Sequence, residues 1–511
     1  MQQPHRYVRK EAARTNVKRK LTASNVWTVA ANVFNTVSTM VVFIALARLL
    51  TPAQFGIVAF ALVFIEFSRI LVGAGIPDAL IQRPDWDRDV SSTAFWTNIA
   101  IGVSIAAILC FVVAPLAGVY YDQTFGYVLA ALSALLLIEG ASTVHTAKLR
   151  REFRHKIIAR RSMSSNVIGG VIGVTLAYLG WGVWAMVISR LFASGMSSLL
   201  LWRSSGFRPR FHFSFAEYRQ FGQFSSHQLG SQLLANGNSQ VTALLIGSFL
   251  GPAAIAQYRV GSRALNMLVS LVITPLQSAS MSAFSRVHEN NGQIGPAYLR
   301  VTRACALLTC PVFFGMAATA PDIVRLMFGP KWHEGGLIMI ALALVVGPAT
   351  LNYFQGPALS AAGRTGLTFW ATLIGFIGNL LVALCTISFG PIAVAAGHTL
   401  RAHITTPLSL RFVAKGIGVS PWRAITNIAP PYLCGAIMAI AVTTLRLFVL
   451  DDFPPLGRFL LCVTAGGIVY LVALLVFARK FTVANLQELQ PLLPRAIGRH
   501  VARFTPSPSK S

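Results

Sequence analysis

Acidic residues are scarce in this chain. Only 16 Asp and Glu stand against 43 Lys and Arg in 511 residues, and charged residues of both signs make up 12% of the total. A water-soluble domain carries about 25%, so a mainly soluble protein is excluded. Cysteine is scarce too. Cys110, Cys305, Cys310, Cys385, Cys434 and Cys462 fall in or beside apolar runs without metal-ligand spacing and read as small buried hydrophobes. No stretch between apolar runs exceeds about 20 residues, which leaves no room for a separate soluble domain. A Gly-rich phosphate loop is lacking, as is an Asp-x-Asp pair in a sizeable loop, so ATP-driven transport within the chain is not expected. No enzyme activity, cofactor or metal is expected.

What is present is apolar. About fourteen runs are long enough to cross ~30 Å of hydrocarbon, at 24–50, 54–80, 93–117, 126–147, 162–179, 182–202, 220–248, 253–283, 299–320, 335–360, 367–389, 391–411, 428–449 and 457–478. The first is too long, and its leader too charged, for a cleaved signal, so it reads as a retained anchor. The formal charge of +27 would point to nucleic acid in a soluble protein, but its location argues otherwise. Seven Lys and Arg precede the first run and seven more lie between the fourth and fifth, Lys148, Arg150, Arg151, Arg154, Lys156, Arg160 and Arg161. Others follow at Arg203, Arg208, Arg210, Arg219, Lys415 and Arg423 and in the tail from Arg479, while the alternate loops near 118–125, 180, 251 and 390 have none. The positive-inside rule then puts both termini in the cytoplasm, with membrane lipid rather than nucleic acid as the polyanionic neighbour. The basic segment 148–161 reads first as a topology determinant and second as a lipid-headgroup or pyrophosphate attractor.

The chain also repeats itself. Leu50-Thr51-Pro52-Ala53 recurs 200 residues on as Leu250-Gly251-Pro252-Ala253, each time breaking two apolar runs. Thr28, Asn32 and Thr36 in the first run are echoed at the same offset by Gln228, Gln232 and Asn236 in the seventh, each set on one helical face. Such a stripe faces protein or water, and its presence on both runs favours cavity lining over interhelical bonding. Gly180 and Ala185 correspond to Gly390 and Ala395, with Arg190 and Arg401 following at nearly equal distance. The expected fold is an all-α polytopic membrane protein of about 14 transmembrane helices. A basic segment 1–22 precedes an N-lobe at 23–220 and a C-lobe at 221–411, two pseudo-symmetric six-helix lobes; two further helices at 427–478 and a basic tail at 479–511 follow. Pro77, Pro115, Pro275, Pro311, Pro348 and Pro357 mark expected kinks, and the tenth run, with Gly347-Pro348 and Gly356-Pro357, is the one expected to be broken.

An ionisable residue mid-bilayer costs at least ~2.5 kcal/mol and needs a partner, a cavity or a function. Glu66 and Arg69 are one turn apart in the second run, which allows either a self-contained ion pair or an ion-coupling site; Glu139 is the other deep carboxylate. Arg259 and Arg263 share a face of the eighth run and join Arg69, Arg190, Arg401 and His398 in an excess of cations. That excess is best explained by an anionic ligand, and the planar guanidinium suits phosphate. Arg48 and Arg446 lie near run ends and are expected to snorkel; His145 and His227 read as polar lining.

Residues 46–83, 148–160, 207–224, 246–265 and 323–332 resemble the bacterial oligosaccharide flippases and polysaccharide exporters (Wzx-type), members of the superfamily that includes multidrug extruders and lipid II flippases. The resemblance runs over about residues 20–480, and its style is nearest to exporters of colanic-acid or succinoglycan type units. It implies a two-lobed inner-membrane protein that moves an undecaprenyl-pyrophosphate-linked oligosaccharide between leaflets by alternating access, driven by a counter-transported proton or sodium ion. A polysaccharide polymerase and co-polymerase are the implied protein partners. Two other readings stand beside it. A drug or cation extruder should line its cavity with carboxylates, where this chain offers mostly Arg. A membrane polymerase or ligase should present catalytic residues on a large outer loop, and the longest candidate, 321–334, reads as an ordinary connection.

Overall fold

A computed structural model describes residues 27–477 apart from 29, 74, 84, 85 and 291, without the side chains of 78, 82, 220–229, 231–236, 238 and 239. The basic segments 1–22 and 479–511 and the side chains of His227, Gln228, Gln232 and Asn236 therefore lie outside the described residues. The described chain is helical throughout. It runs α1 (Ala30–Leu49), α2 (Pro52–Val72), α3 (Ile76–Gln82), α4 (Arg88–Ile108), α5 (Ala114–Tyr120), α6 (Gln123–Arg151), α7 (His155–Tyr178), α8 (Val183–Ser205) and α9 (Phe215–Leu268). Then follow α10 (Thr274–Glu289), α11 (Ile294–Phe328), α12 (His333–Ala343), α13 (Val346–Ala361), α14 (Thr365–Thr386), α15 (Pro391–Ile417), α16 (Pro421–Phe448) and α17 (Pro455–Phe477). Ten of the described helices are long and apolar enough to cross a membrane, eleven if the bent pair α12–α13 counts as one span. Helices α7 and α15 fall outside that set although they have 24 and 27 residues, because Arg160 and Arg161 in one and His398, Arg401 and His403 in the other dilute their apolar character.

The breaks follow local chemistry. Thr51 caps α2, its hydroxyl accepting from the Gln54 N–H at 3.2 Å while the Gln54 amide oxygen accepts from the Thr51 N–H, and Pro52 takes the first helical position. At the second copy of this motif Gly251 turns to φ 84°, a conformation open to glycine, ahead of Pro252. Pro115 and Pro275 each follow a π-helical turn, 109–113 and 269–273, in which the Ala114 and Thr274 N–H groups reach five residues back to Leu109 and Val269. A proline N–H is missing from each ladder, and the wider turn re-partners the freed carbonyls. The expected break in the tenth run is a 61° bend between α12 and α13, just ahead of Gly347-Pro348.

Two compact units are formed, residues 1–256 and 257–511. In the first, α6 is the central helix and packs on α2, α4, α5 and α8. A Cβ on Gly140 of α6 would lie 2.7 Å from the Asn98 carbonyl of α4, so these backbones touch, which is how helices gain packing where lipid supplies no hydrophobic drive. The two copies of the repeated motif also touch, since a Cβ on Gly56 would fall 1.8 Å from the Pro252 carbonyl oxygen. His145 is fully buried, not cavity lining; its Nδ1 lies 2.7 Å from the Ser205 hydroxyl and its ring packs on Trp202, Phe95 and Phe207.

In the second unit α11 is central and packs on α12, α13, α16 and α17 over Tyr298, Phe313, Phe328, Trp332 and Phe354. Asp322 lies inside α11, which continues to Phe328 through the segment read as a loop. Its carboxylate is 1% exposed and is gripped by Arg458 at 2.5 Å and Arg446 at 3.6 Å. Arg446 therefore does not snorkel, because a buried carboxylate offers a stronger partner than the membrane surface.

Candidate functional site

A cavity of about 390 Å³ opens within the first unit among α2, α6, α7 and α8. Helix α2 brings Glu66 and Arg69 to it, α6 brings Glu139, Ser142 and Arg150, α7 brings Arg161, Ser162 and Asn166, and α8 brings Arg190. Ionisable side chains on four helices thus converge on one space, as the cost of exposing them to lipid requires.

Arg69 sits between two acids. Its guanidinium reaches Glu139 at 2.9 Å and Glu66 at 3.2 Å, and all three side chains keep about 40% of their surface open to the cavity. The pair on α2 is therefore not self-contained, since a carboxylate 70 residues away completes it. With Arg69 held by two acids, Arg150, Arg161 and Arg190 remain as cavity cations that make no ion pair among the described residues. Four arginines against two carboxylates give a net positive pocket, and the Arg161 Nε is buried without a hydrogen-bond partner among the described residues.

Serine, threonine and asparagine fill the rest. Ser142 and Ser198 share a hydrogen bond of 2.7 Å, and Asn35 of α1 donates to Ser162 at 2.9 Å while accepting from Asn166 at 3.0 Å. The polar stripe read on the first run is placed differently from this network. Thr28 contacts His155 Nδ1 at 3.4 Å, Asn32 is exposed and Thr36 half-buried, and it is Asn35, outside the stripe, that meets the cavity wall. Arg259, Arg263, His398 and Arg401 belong to the second unit. There the Arg401 guanidinium bonds the Gly375 carbonyl and the Thr405 hydroxyl, both at 3.4 Å.

Arg150 and Arg161 enter the sequence reading only as members of a basic segment at the membrane surface, a topology determinant first and a headgroup or pyrophosphate attractor second, and Asn166 does not enter it. Arg161, Ser162, Ser165 and Asn166 fall at i, i+1, i+4 and i+5, a polar face continuing the basic segment into the membrane, and that spacing was the available signal.

Long helices, a helix-lined polar cavity and paired breaks at Pro52 and Pro252 define a multi-pass membrane protein with a transporter fold. The fold is similar to that of the lipid II flippase MurJ, a structure described as an inward closed conformation, with a TM-score of 0.74 at 16% identity over 90% of this chain and 100% of that one. Residues 45–335 match the family described as polysaccharide biosynthesis protein, and the chain belongs to that family. It is 26% identical to the succinoglycan biosynthesis transport protein ExoT of Rhizobium meliloti (strain 1021) over 88% of this chain and 92% of that protein. To the teichuronic acid biosynthesis protein TuaB of Bacillus subtilis (strain 168) it is 24% identical over 90% and 96%.

Proposed function

We propose that the protein is a flippase that carries an undecaprenyl-pyrophosphate-linked oligosaccharide unit from the cytoplasmic to the periplasmic leaflet of the inner membrane by alternating access. The observation that carries this reading is the net-positive, hydroxyl- and amide-rich cavity inside a member of a polysaccharide biosynthesis family. Guanidinium groups without a carboxylate partner suit a diphosphate, and the Ser, Thr and Asn side chains suit sugar hydroxyls. The charge pattern supports both termini in the cytoplasm. In the proposed cycle the lobes 23–220 and 221–411 exchange access, with Arg259, Arg263, His398 and Arg401 as the second lobe's contribution to substrate binding. Thr36 and Asn32 of the first run and Gln228, Gln232 and Asn236 of the seventh are assigned to polar lining. Glu66 and Glu139 couple the cycle to a proton or cation, because protonating either carboxylate loosens its hold on Arg69 and frees that guanidinium for the diphosphate.

The transport names of the relatives and the cation excess favour this over an extruder of organic cations, whose cavity should be acidic. They also favour it over a polymerase, with which the flippase would instead work in sequence. The test is the leaflet in which lipid-linked units accumulate in a deletion strain. Accumulation in the cytoplasmic leaflet is expected, whereas units that reach the periplasm normally and stay unpolymerised would overturn the reading.

A further inference from the structure

A second, apolar groove of about 810 Å³ lies beside the polar cavity in the first unit, between the start of the first helix, α7 and α8. Trp27, Phe34, Ile157, Val167, Ile168 and Leu200 wall it, with Ser164 and Ser204 among them, and Arg160 and Arg161 stand between Ile157 and Val167 along α7. Arg161 lines both this groove and the polar cavity. The Lys156 ammonium, one turn before Arg160, lies 5.4 Å from the Trp27 ring centre, and from Arg161 onward the α7 wall turns apolar, so that two turns further on, about 10 Å, Val167 and Ile168 offer only hydrocarbon.

We propose that this groove seats the first isoprenoid segment of a polyprenyl diphosphate. In this seat Arg161 holds the phosphate at the junction, so that the sugar end enters the polar cavity while the tail stays outside it. The proposal rests on the flippase reading and adds to it the place and leaflet of lipid entry. Charge complementarity names the occupant. An anionic head followed directly by a hydrocarbon chain matches a groove in which two arginines are followed along α7 by a mainly apolar wall. A bulk phospholipid would match the charge but has no sugar to place in the adjoining polar cavity. With the N-terminus in the cytoplasm, as proposed above, Arg160 and Arg161 near the start of α7 lie toward the cytoplasmic leaflet, the side from which the proposed substrate is taken.

The test uses full-length protein in phosphatidylethanolamine–phosphatidylglycerol nanodiscs, with photoreactive benzoyl-phenylalanine at Val167 or, as a lipid-facing control, at the exposed Leu471. The probe is radiolabelled undecaprenyl diphosphate. Labelling at 167 is expected to exceed that at 471 and to be displaced by unlabelled probe but not by added phosphatidylglycerol. It should fall about ten-fold with Arg161→Ala, the loss of one charge-assisted hydrogen bond. Ile168→Trp, which fills the groove and leaves Arg161 in place, should reduce labelling in protein that still elutes as a single species. Equal labelling at the two positions, displacement by phosphatidylglycerol, or indifference to both substitutions overturns the groove. Should that happen while Glu139→Gln still stops export, the flippase reading survives without it; should export also be indifferent to Glu139→Gln, the transport role of the cavity fails with it.

Discussion

Each unit contains a cluster of arginine and carboxylate, and the two are inverted at their centres. In the first unit two acids, Glu66 and Glu139, share Arg69 in an open cavity; in the second, two arginines, Arg446 and Arg458, share the buried Asp322, and Arg458 also reaches the exposed Asp451 at 3.4 Å. Exposure separates them, about 40% for each member of the first against 1% for Asp322. Water screens the first cluster, so its bonds are cheap to exchange and add little stability. The second has given up its hydration, and losing one partner strands a charge in low dielectric. The wet cluster is built to change partners and the dry one to keep them.

The sharpest way to break this contrast is at Asp322. Asp322→Ala should cost about 3–5 kcal/mol, seen as a lower thermal midpoint in detergent and reduced abundance in the membrane. Replacing the whole triad with Leu at 322 and Met at 446 and 458 should recover most of that loss, because no buried charge is then left alone; Asp451, which loses Arg458, is exposed to solvent. A single Asp322→Ala variant with wild-type stability would show that the two clusters do not differ in kind.

The opposite outcome is expected of Glu66→Gln and Glu139→Gln. Each should abolish export while stability moves by no more than about 1 kcal/mol, so that membrane abundance is unchanged. Unimpaired export by Glu66→Gln would end the coupling role. Arg190→Ala should lower export about ten-fold or more at normal abundance, the effect of removing one charge-assisted contact. Arg263→Ala and Arg401→Ala should do the same in the second unit. Normal export by both of these would confine the anion site to the first unit.

The smallest effect is expected from pH. His155 starts α7 ahead of the apolar run at 162, and burial, with the Arg150 charge as a lesser cause, pushes its pKa below the ordinary imidazole value. The fold then binds fewer protons than the unfolded chain below about pH 6.5, so stability is complete above that pH and declines as pH falls. Replacing His155 with Gln should flatten this slope in acid melts between wild type and variant; an unchanged slope would place the effect elsewhere.

Much of the fold was legible in the sequence because it is written in hydropathy and proline. The breaks at Pro52 and Pro252, the bend before Pro348 and the long apolar helices all follow from local rules. The cavity was half legible. Glu66, Arg69, Glu139 and Arg190 stood out as charges where lipid forbids them, yet nothing in spacing says that a residue 70 positions away closes the Glu66–Arg69 pair. Arg150 and Arg161 were hidden by their neighbours, since a basic segment has an adequate reason to exist in membrane topology. Arg446 was misjudged because Asp322 seemed to lie in a loop, and only the continuation of α11 brings the two together.

The dry triad also sets a schedule for synthesis. Asp322 leaves the ribosome 136 residues before Arg458. At ~5–20 residues per second that is an interval of roughly 7–27 s. Until Arg446 follows, 12 residues ahead of Arg458, a carboxylate near the end of α11 has neither of its final partners, and the partly made chain carries a charge it cannot yet bury. The hairpin of α16 and α17, the last among the described residues, is therefore the one that completes the ion cluster, and a chain halted before it would present to membrane proteases the defect that Asp322 marks.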